Sequence, residues 1–216
     1  MSPMTKAGAL RLLRTLRYSL SLTVRPLYGY GELKYEKAGS GGAAFILLLS
    51  ALFTRVFHLQ YAGFLFNEFN PFEFNLLREL ANVLIPFFLF VVANWIVSTI
   101  FDGEGTMREI FQFSCYALTP YILITIPTTL FSRVATEGEG TVIACLLGFA
   151  LLWSGVLLFC GNMTVHQFTP LKTLVLLAVT VAAMLLMIFV AILFASITDM
   201  LVDYVRSIYM EIRLRL

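Results

Sequence analysis

Asp102-Gly103-Glu104-Gly105-Thr106 is the most chemically distinctive stretch of the chain. Two carboxylates and a helix-capping hydroxyl are crowded between glycines that permit tight backbone geometry. Arg108, His166 and Lys172 fall on the same side of the pattern of apolar runs described below, so Asp102, Glu104, Arg108, His166 and Lys172 form a candidate functional cluster. With both carboxylates His166 has the chemistry to hold a divalent cation, and by itself the chemistry to accept a proton. One histidine and two loop acids lack a recognised metal-ligand spacing, and the simpler reading is a capped, ion-paired turn. The sequence contains no His-Glu-x-x-His and no Gly-x-Ser-x-Gly. Gly39-Ser40-Gly41-Gly42 lacks the Gly-Lys-Ser/Thr of a phosphate-binding loop and reads as a hinge into an apolar run. Cys115, Cys145 and Cys160 sit in apolar blocks and read as small buried hydrophobes. The chain is therefore expected to be non-enzymatic, with no catalytic, cofactor or metal site.

A second group of candidates lies inside the apolar runs, where polar side chains normally face the interior of a bundle or a cavity. Asn94 and Ser98 are one helical turn apart and are placed to hydrogen-bond across helices. Pro86, Pro120 and Pro127 each remove a backbone donor, and the freed carbonyls must find hydroxyls, neighbouring helices or water. With Tyr116 these make up the candidate polar and kink positions: Pro86, Asn94, Ser98, Tyr116, Pro120 and Pro127. A cavity framed by Pro86, Asn94, Pro120 and Pro127 is what a permease or channel would require.

The elements that must position these residues are long. Of the 216 residues 59% are hydrophobic and 13% charged, against roughly 25% charged in soluble domains. The hydrocarbon core of a bilayer is about 30 Å thick, so a charge-free apolar run of about 18 residues or more is a candidate span. Such runs predict spans over about 78–101, 108–132, 141–163 and 171–199, with a weaker one over about 42–62 that contains Arg55 near its far end. Phe57, Tyr61, Phe64, Phe66 and Phe69 then fall at interfacial depth. Asn75, Thr106 with Glu109, and Thr169 followed by Pro170 are helix-start signals at the right places. The predicted fold is an all-α polytopic bundle of about five transmembrane helices with amphipathic helices at both ends. Its parts are a basic amphipathic cytoplasmic or interfacial segment over 1–38, the bundle over 39–200, and an amphipathic helix over 201–216. In the first, Leu10, Leu13, Leu16, Leu20 and Val24 share an arc beside Arg11, Arg14, Arg17 and Arg25. In the last, Leu201, Val205, Ile208, Ile212 and Leu216 form a stripe opposite Asp199, Asp203, Arg206 and Arg213.

Seven of the fifteen basic residues precede Gly39, which predicts a cytoplasmic N-terminus by the positive-inside preference. Five spans then place Arg206, Arg213 and Arg215 on the outer side, against that preference; a re-entrant first segment would resolve the conflict.

Three groups of residues carry a family resemblance over roughly Pro26 to the C-terminus: Ala93-Asn94-Trp95; then Asp102-Gly103-Glu104-Gly105-Thr106 followed by Tyr116-Ala117-Leu118-Thr119-Pro120-Tyr121; and His166 with Lys172-Thr173. With these the chain resembles bacterial members of the Yip1 family, multi-pass membrane proteins related to eukaryotic vesicle-trafficking factors. The resemblance implies about five helices and a cytoplasmic N-terminus, and no activity. The Asp-Leu-Tyr-Gly-Pro motif typical of the eukaryotic relatives is missing, so a Rab partner is not implied. Bacterial relatives often occur near carbohydrate-uptake components, which suggests a transport accessory. The expected role is to bind or organise other membrane proteins in the plasma membrane, the alternative being a small-solute, ion or lipid permease. Expected partners are the lipid bilayer and other membrane proteins, including transporter subunits or further copies of the chain, and no nucleic acid.

Overall fold

A computed structural model describes residues 15, 17–35, 39–66 and 74–215, the side chains of 212, 214 and 215 excepted. Lys6, Leu10, Arg11, Leu13, Arg14, Leu16, Lys37, Phe69 and Leu216, which figured in the charge and amphipathicity arguments, lie outside the described residues. The described chain is helical, with no strand among its residues. Residues 17–24 form a short helix, followed by α1 (Pro26–Tyr35), α2 (Gly41–Tyr61), α3 (Leu76–Ile100), α4 (Met107–Ala117), α5 (Thr119–Phe131), α6 (Gly140–His166) and α7 (Pro170–Arg215). Five helical stretches are long and apolar enough to cross a membrane, with α4 and α5 together making one of them. The all-α polytopic architecture expected from the sequence is the one observed.

Local chemistry sets the helix starts. Asn75 accepts from the backbone N–H groups of Leu77 and Arg78 at 3.0 and 3.2 Å, and Ser40 accepts from Ala43 at 3.2 Å to begin α2. Thr106 and Glu109 form a reciprocal capping box at α4, which satisfies donors that a helix start leaves without intrahelical partners.

The run over about 108–132 is broken at Leu118. Pro120 has no N–H to offer the carbonyl of Tyr116 four residues back. The hydroxyl of Thr119 supplies the missing donor, at 2.8 Å from Tyr116 O. The bend thus stays hydrogen-bonded while buried Tyr116 and Pro120 sit inside the bundle.

Two parts differ from simple spans. The short helix 17–24 and α1 make a hairpin packed into the bundle: Leu22 and Tyr30 are fully buried, and the Tyr18 hydroxyl donates to Gly29 O across the hairpin. At the other extreme α7 is one continuous helix of 46 residues, about 69 Å long and more than twice the hydrocarbon thickness. Its first turns bury Thr173, Leu176 and Thr180 against the bundle, while every described side chain from Ile188 onward is exposed.

At the end of the bundle away from residues 102–106, α2 and α5 approach closely. The N–H of Gly63 donates to Ser132 Oγ at 2.8 Å, and a Cβ on Gly63 would lie 1.9 Å from Ser132 O. Beside them His58 Nδ1 lies 2.8 Å from Thr129 Oγ1. Arg55, expected only to reach toward the interface, pairs at 3.6 Å with Glu79, which is 5% exposed.

Candidate functional site

The site is built where α3 and α6 end side by side. Each helix closes with a residue in the left-handed region, Asp102 at φ 57° and Gln167 at φ 55°, the two non-glycine residues with positive φ among the described residues. At α3 the N–H of Gly103 donates to Ser98 O at 2.8 Å and that of Asp102 to Thr99 O at 3.4 Å. This is the bond pair of a Schellman cap, in which the left-handed position usually carries glycine. Asp102 is exposed, so its φ costs energy that no packing returns. Asp102→Gly is therefore expected to raise stability by up to about 1 kcal/mol, read as a higher thermal midpoint in detergent, whereas Asp102→Val lowers it.

The turn after Asp102 then folds over His166, which is 1% exposed. The N–H of Gly105 lies 3.2 Å from Nδ1, and Nε2 lies 3.3 Å from Asn94 Oδ1. A backbone N–H can only donate, so Nδ1 carries the lone pair and Nε2 carries the proton given to Asn94. The ring is a neutral imidazole with both nitrogens engaged. Phe168 stacks on it with centroids 5.5 Å apart. The two glycines of the motif are there for space: a Cβ on Gly103 would sit 2.6 Å from Nδ1, and one on Gly105 would sit 2.5 Å from Cε1.

Around this buried centre the charged residues tie three segments together. Glu104 accepts from Lys34 Nζ at 3.0 Å and from Gln167 Nε2 at 2.7 Å. Lys34 also donates to Val165 O at 2.8 Å, and Gln167 to the Tyr35 hydroxyl at 2.9 Å. Lys172 Nζ donates to Phe101 O at 2.7 Å and stands 4.0 Å above the Phe168 ring. A cation on the last carbonyls of α3 satisfies an acceptor and faces the negative end of the helix dipole. We call this arrangement the clasp.

Of the sequence candidates, Glu104, His166 and Lys172 meet in the clasp, and Asn94 joins them from inside the bundle. Asp102 shapes the backbone, and its exposed carboxylate makes no contact in the clasp. Arg108 is exposed at a neighbouring cleft of about 220 Å³, lined also by Lys34, Gly39, Thr106, Glu109 and Gln112. Ser98 is buried, and its hydroxyl donates to Trp95 O on its own helix at 3.0 Å. Tyr116 and Pro120 are buried at the α4–α5 bend, while Pro86 and Pro127 are exposed on α3 and α5. Among the described residues no three His, Cys, Asp or Glu side chains gather in a metal-binding group. Sequence reasoning missed Lys34, Tyr35, Gln167 and Phe168. Lys34 entered only as a topological charge, and nothing local marks Gln167 as a link between α1 and the acidic turn.

The clasp lies within a stretch that matches a known family. Residues 21–192 match the Yip1 domain. The chain belongs to the Yip1 family. The match takes in most of the hairpin, four apolar stretches and the first half of α7, and it ends within that helix rather than at the C-terminus. No curated protein matches the chain, and no solved structure matches it. Membership of the Yip1 family together with five apolar helices makes this a membrane protein and points to a membrane-associated role other than catalysis.

Proposed function

We propose that this Yip1-family protein binds and organises partner membrane proteins, with the clasp end and the N-terminus in the cytoplasm and the plasma membrane as its location. The observation that carries the reading is the outer half of α7. From Ile188 on, its described side chains are exposed, including Phe194, Leu201, Val205 and Ile208. From Asp199 the helix carries charges and runs on beyond the apolar stretch, and an isolated helix of that length is marginal in water without a face to bury. Where α7 parts from α3, a groove of about 490 Å³ opens between Leu84, Ile85, Phe88, Leu89, Val92 and Met187. It offers apolar surface continuous with the helix.

The clasp supports the same reading from the other end of the molecule. Both nitrogens of His166 and the carboxylate of Glu104 are engaged in bonds that lock α1, α3 and α6 together. A group so engaged serves as a structural fastener better than as a general base, which needs a free lone pair within reach of substrate.

Crosslinking and pull-down from native membranes tests the proposal. Wild type is expected to recover other membrane proteins, transporter subunits being the class suggested by the resemblance, and Val205→Asp with Ile208→Asp is expected to lose them. Recovery of the chain with lipid alone in both samples would sink the proposal and favour a self-contained permease, testable by flux into liposomes.

A further inference from the structure

The N-terminal hairpin reaches deep into the bundle. Lys34 near its C-terminal end touches Val165 at one end of α6, yet Thr23 O accepts from Trp153 Nε1 at 3.1 Å. Trp153 is the middle residue of α6, about 20 Å from either end by helical rise. The bend of the hairpin falls at Arg25, two residues from Thr23. A helix of 27 residues is about 40 Å long and overhangs a core of about 30 Å slightly on both sides. With α6 upright and centred in the bilayer, the bend lies inside the hydrocarbon.

A second observation agrees with that depth. Apart from Ser21 and the arginines, the residues exposed around the bend are apolar: Leu20, Val24, Leu27 and Tyr28 all face outward from the bundle. Among them stand two exposed guanidiniums, Arg25 at the bend and Arg17 further up the hairpin. Among the described residues neither has an acidic partner. The sequence before Arg17 adds Lys6, Arg11 and Arg14 and no acid.

An arginine in hydrocarbon is costly unless its stem carries the head toward the interface and an anion meets it there. A guanidinium pairs with a phosphate through two parallel hydrogen bonds, and a run of basic residues beside a span concentrates anionic lipid. We propose that the hairpin binds the phosphate of an anionic phospholipid drawn inward from the nearer leaflet, with Arg25 as its principal contact and Arg17 as the second. The apolar residues of the bend hold the acyl chains. This site is separate from the clasp and from α7, and it stands whether or not the partner-organising reading does.

The test is native mass spectrometry of the full chain, purified in mild detergent from membranes containing both phosphatidylglycerol and phosphatidylethanolamine. Wild type is expected to retain phosphatidylglycerol preferentially. Arg25→Ala should lower that retention about fivefold, Arg17→Ala less, and Arg25→Lys should restore part of it. Arg206→Ala, on the outer turns of α7, serves as the unchanged control, and an unaltered thermal transition shows that each variant is folded. Equal retention by wild type and Arg25→Ala would overturn the proposal, as would equal retention of the zwitterionic lipid by wild type. Displacement of the bound lipid by inorganic phosphate would reassign the site to a free anion. Loss of a co-purifying protein from Arg25→Ala, with lipid retention intact, would assign Arg25 instead to an acidic partner helix.

Discussion

His166→Ala is expected to be among the most destabilising single changes in the protein. The ring is almost fully buried and fills the space left by Gly103 and Gly105. Its loss opens a cavity and leaves the Gly105 N–H and the Asn94 carbonyl oxygen without their partner. Removing a buried ring and orphaning two polar groups together cost about 3–5 kcal/mol. Cys115 and Cys160 are free and buried, whereas Cys145 is exposed. In a Cys145→Ala background, the temperature at which a thiol-reactive dye labels the two buried cysteines therefore reports unfolding. The midpoint should fall sharply in His166→Ala and recover partly in His166→Gln, whose amide can accept from Gly105 and donate to Asn94. An unchanged midpoint in the alanine variant would mean that the turn over His166 is not a fastener. The same result would weaken the case for the glycines of the Asp-Gly-Glu-Gly stretch being there to make room for the ring.

Gly63→Ala should have a comparable effect at the opposite end. The Cβ would meet Ser132 O at 1.9 Å and Ser132 C at 2.7 Å. Both are backbone atoms, so no side-chain rotation relieves the clash, and α2 must separate from α5. The bond from the Gly63 N–H to Ser132 Oγ is lost with that separation. Overpacking of this kind costs about 1–3 kcal/mol, and a clash with backbone that cannot rotate away belongs at the upper end. Gly31→Ala is the matched control, because a Cβ there meets nothing within 4 Å and alanine favours a helix over glycine by up to about 1 kcal/mol. The dye assay should separate the two substitutions in opposite directions. Similar midpoints for both would show that the α2–α5 contact is looser than the structure has it.

Much of the bundle was legible in the sequence. Charge-free runs marked four of the five apolar stretches and a weaker run containing Arg55 marked the fifth, because membrane thickness and helical rise together fix their length. Asn75, Thr106 with Glu109, and Thr169 marked helix starts, because a capping side chain acts within three residues of itself. The break at Leu118 was half visible: Pro120 announced a missing donor, and the neighbouring Thr119 hydroxyl that replaces it reaches Tyr116 O only once the backbone bends. Arg55 was read as a side chain reaching for the interface, since its partner Glu79 lies on another helix and outside any local pattern. The N-terminal segment was read from its basic and apolar periodicity, which describes a face and says nothing of depth. Its contact with Trp153 supplies the depth.

The candidate cluster divides along the same line. Sequence spacing drew attention to Asp102, Glu104 and His166 together, but it gave Asp102 and Glu104 the same role. The left-handed cap turns Asp102 out while the next residues fold inward, so the two acids have different environments. By itself the sequence determined what is local: where helices start, which runs are long enough to cross hydrocarbon, and where a proline must interrupt one. Only the tertiary structure decided which polar groups meet, since the bonds of the clasp join residues 72 and 131 positions apart. No propensity or hydropathy carries information over that separation. It is set by how the helices pack, and the packing is what holds His166 between a glycine turn and an asparagine.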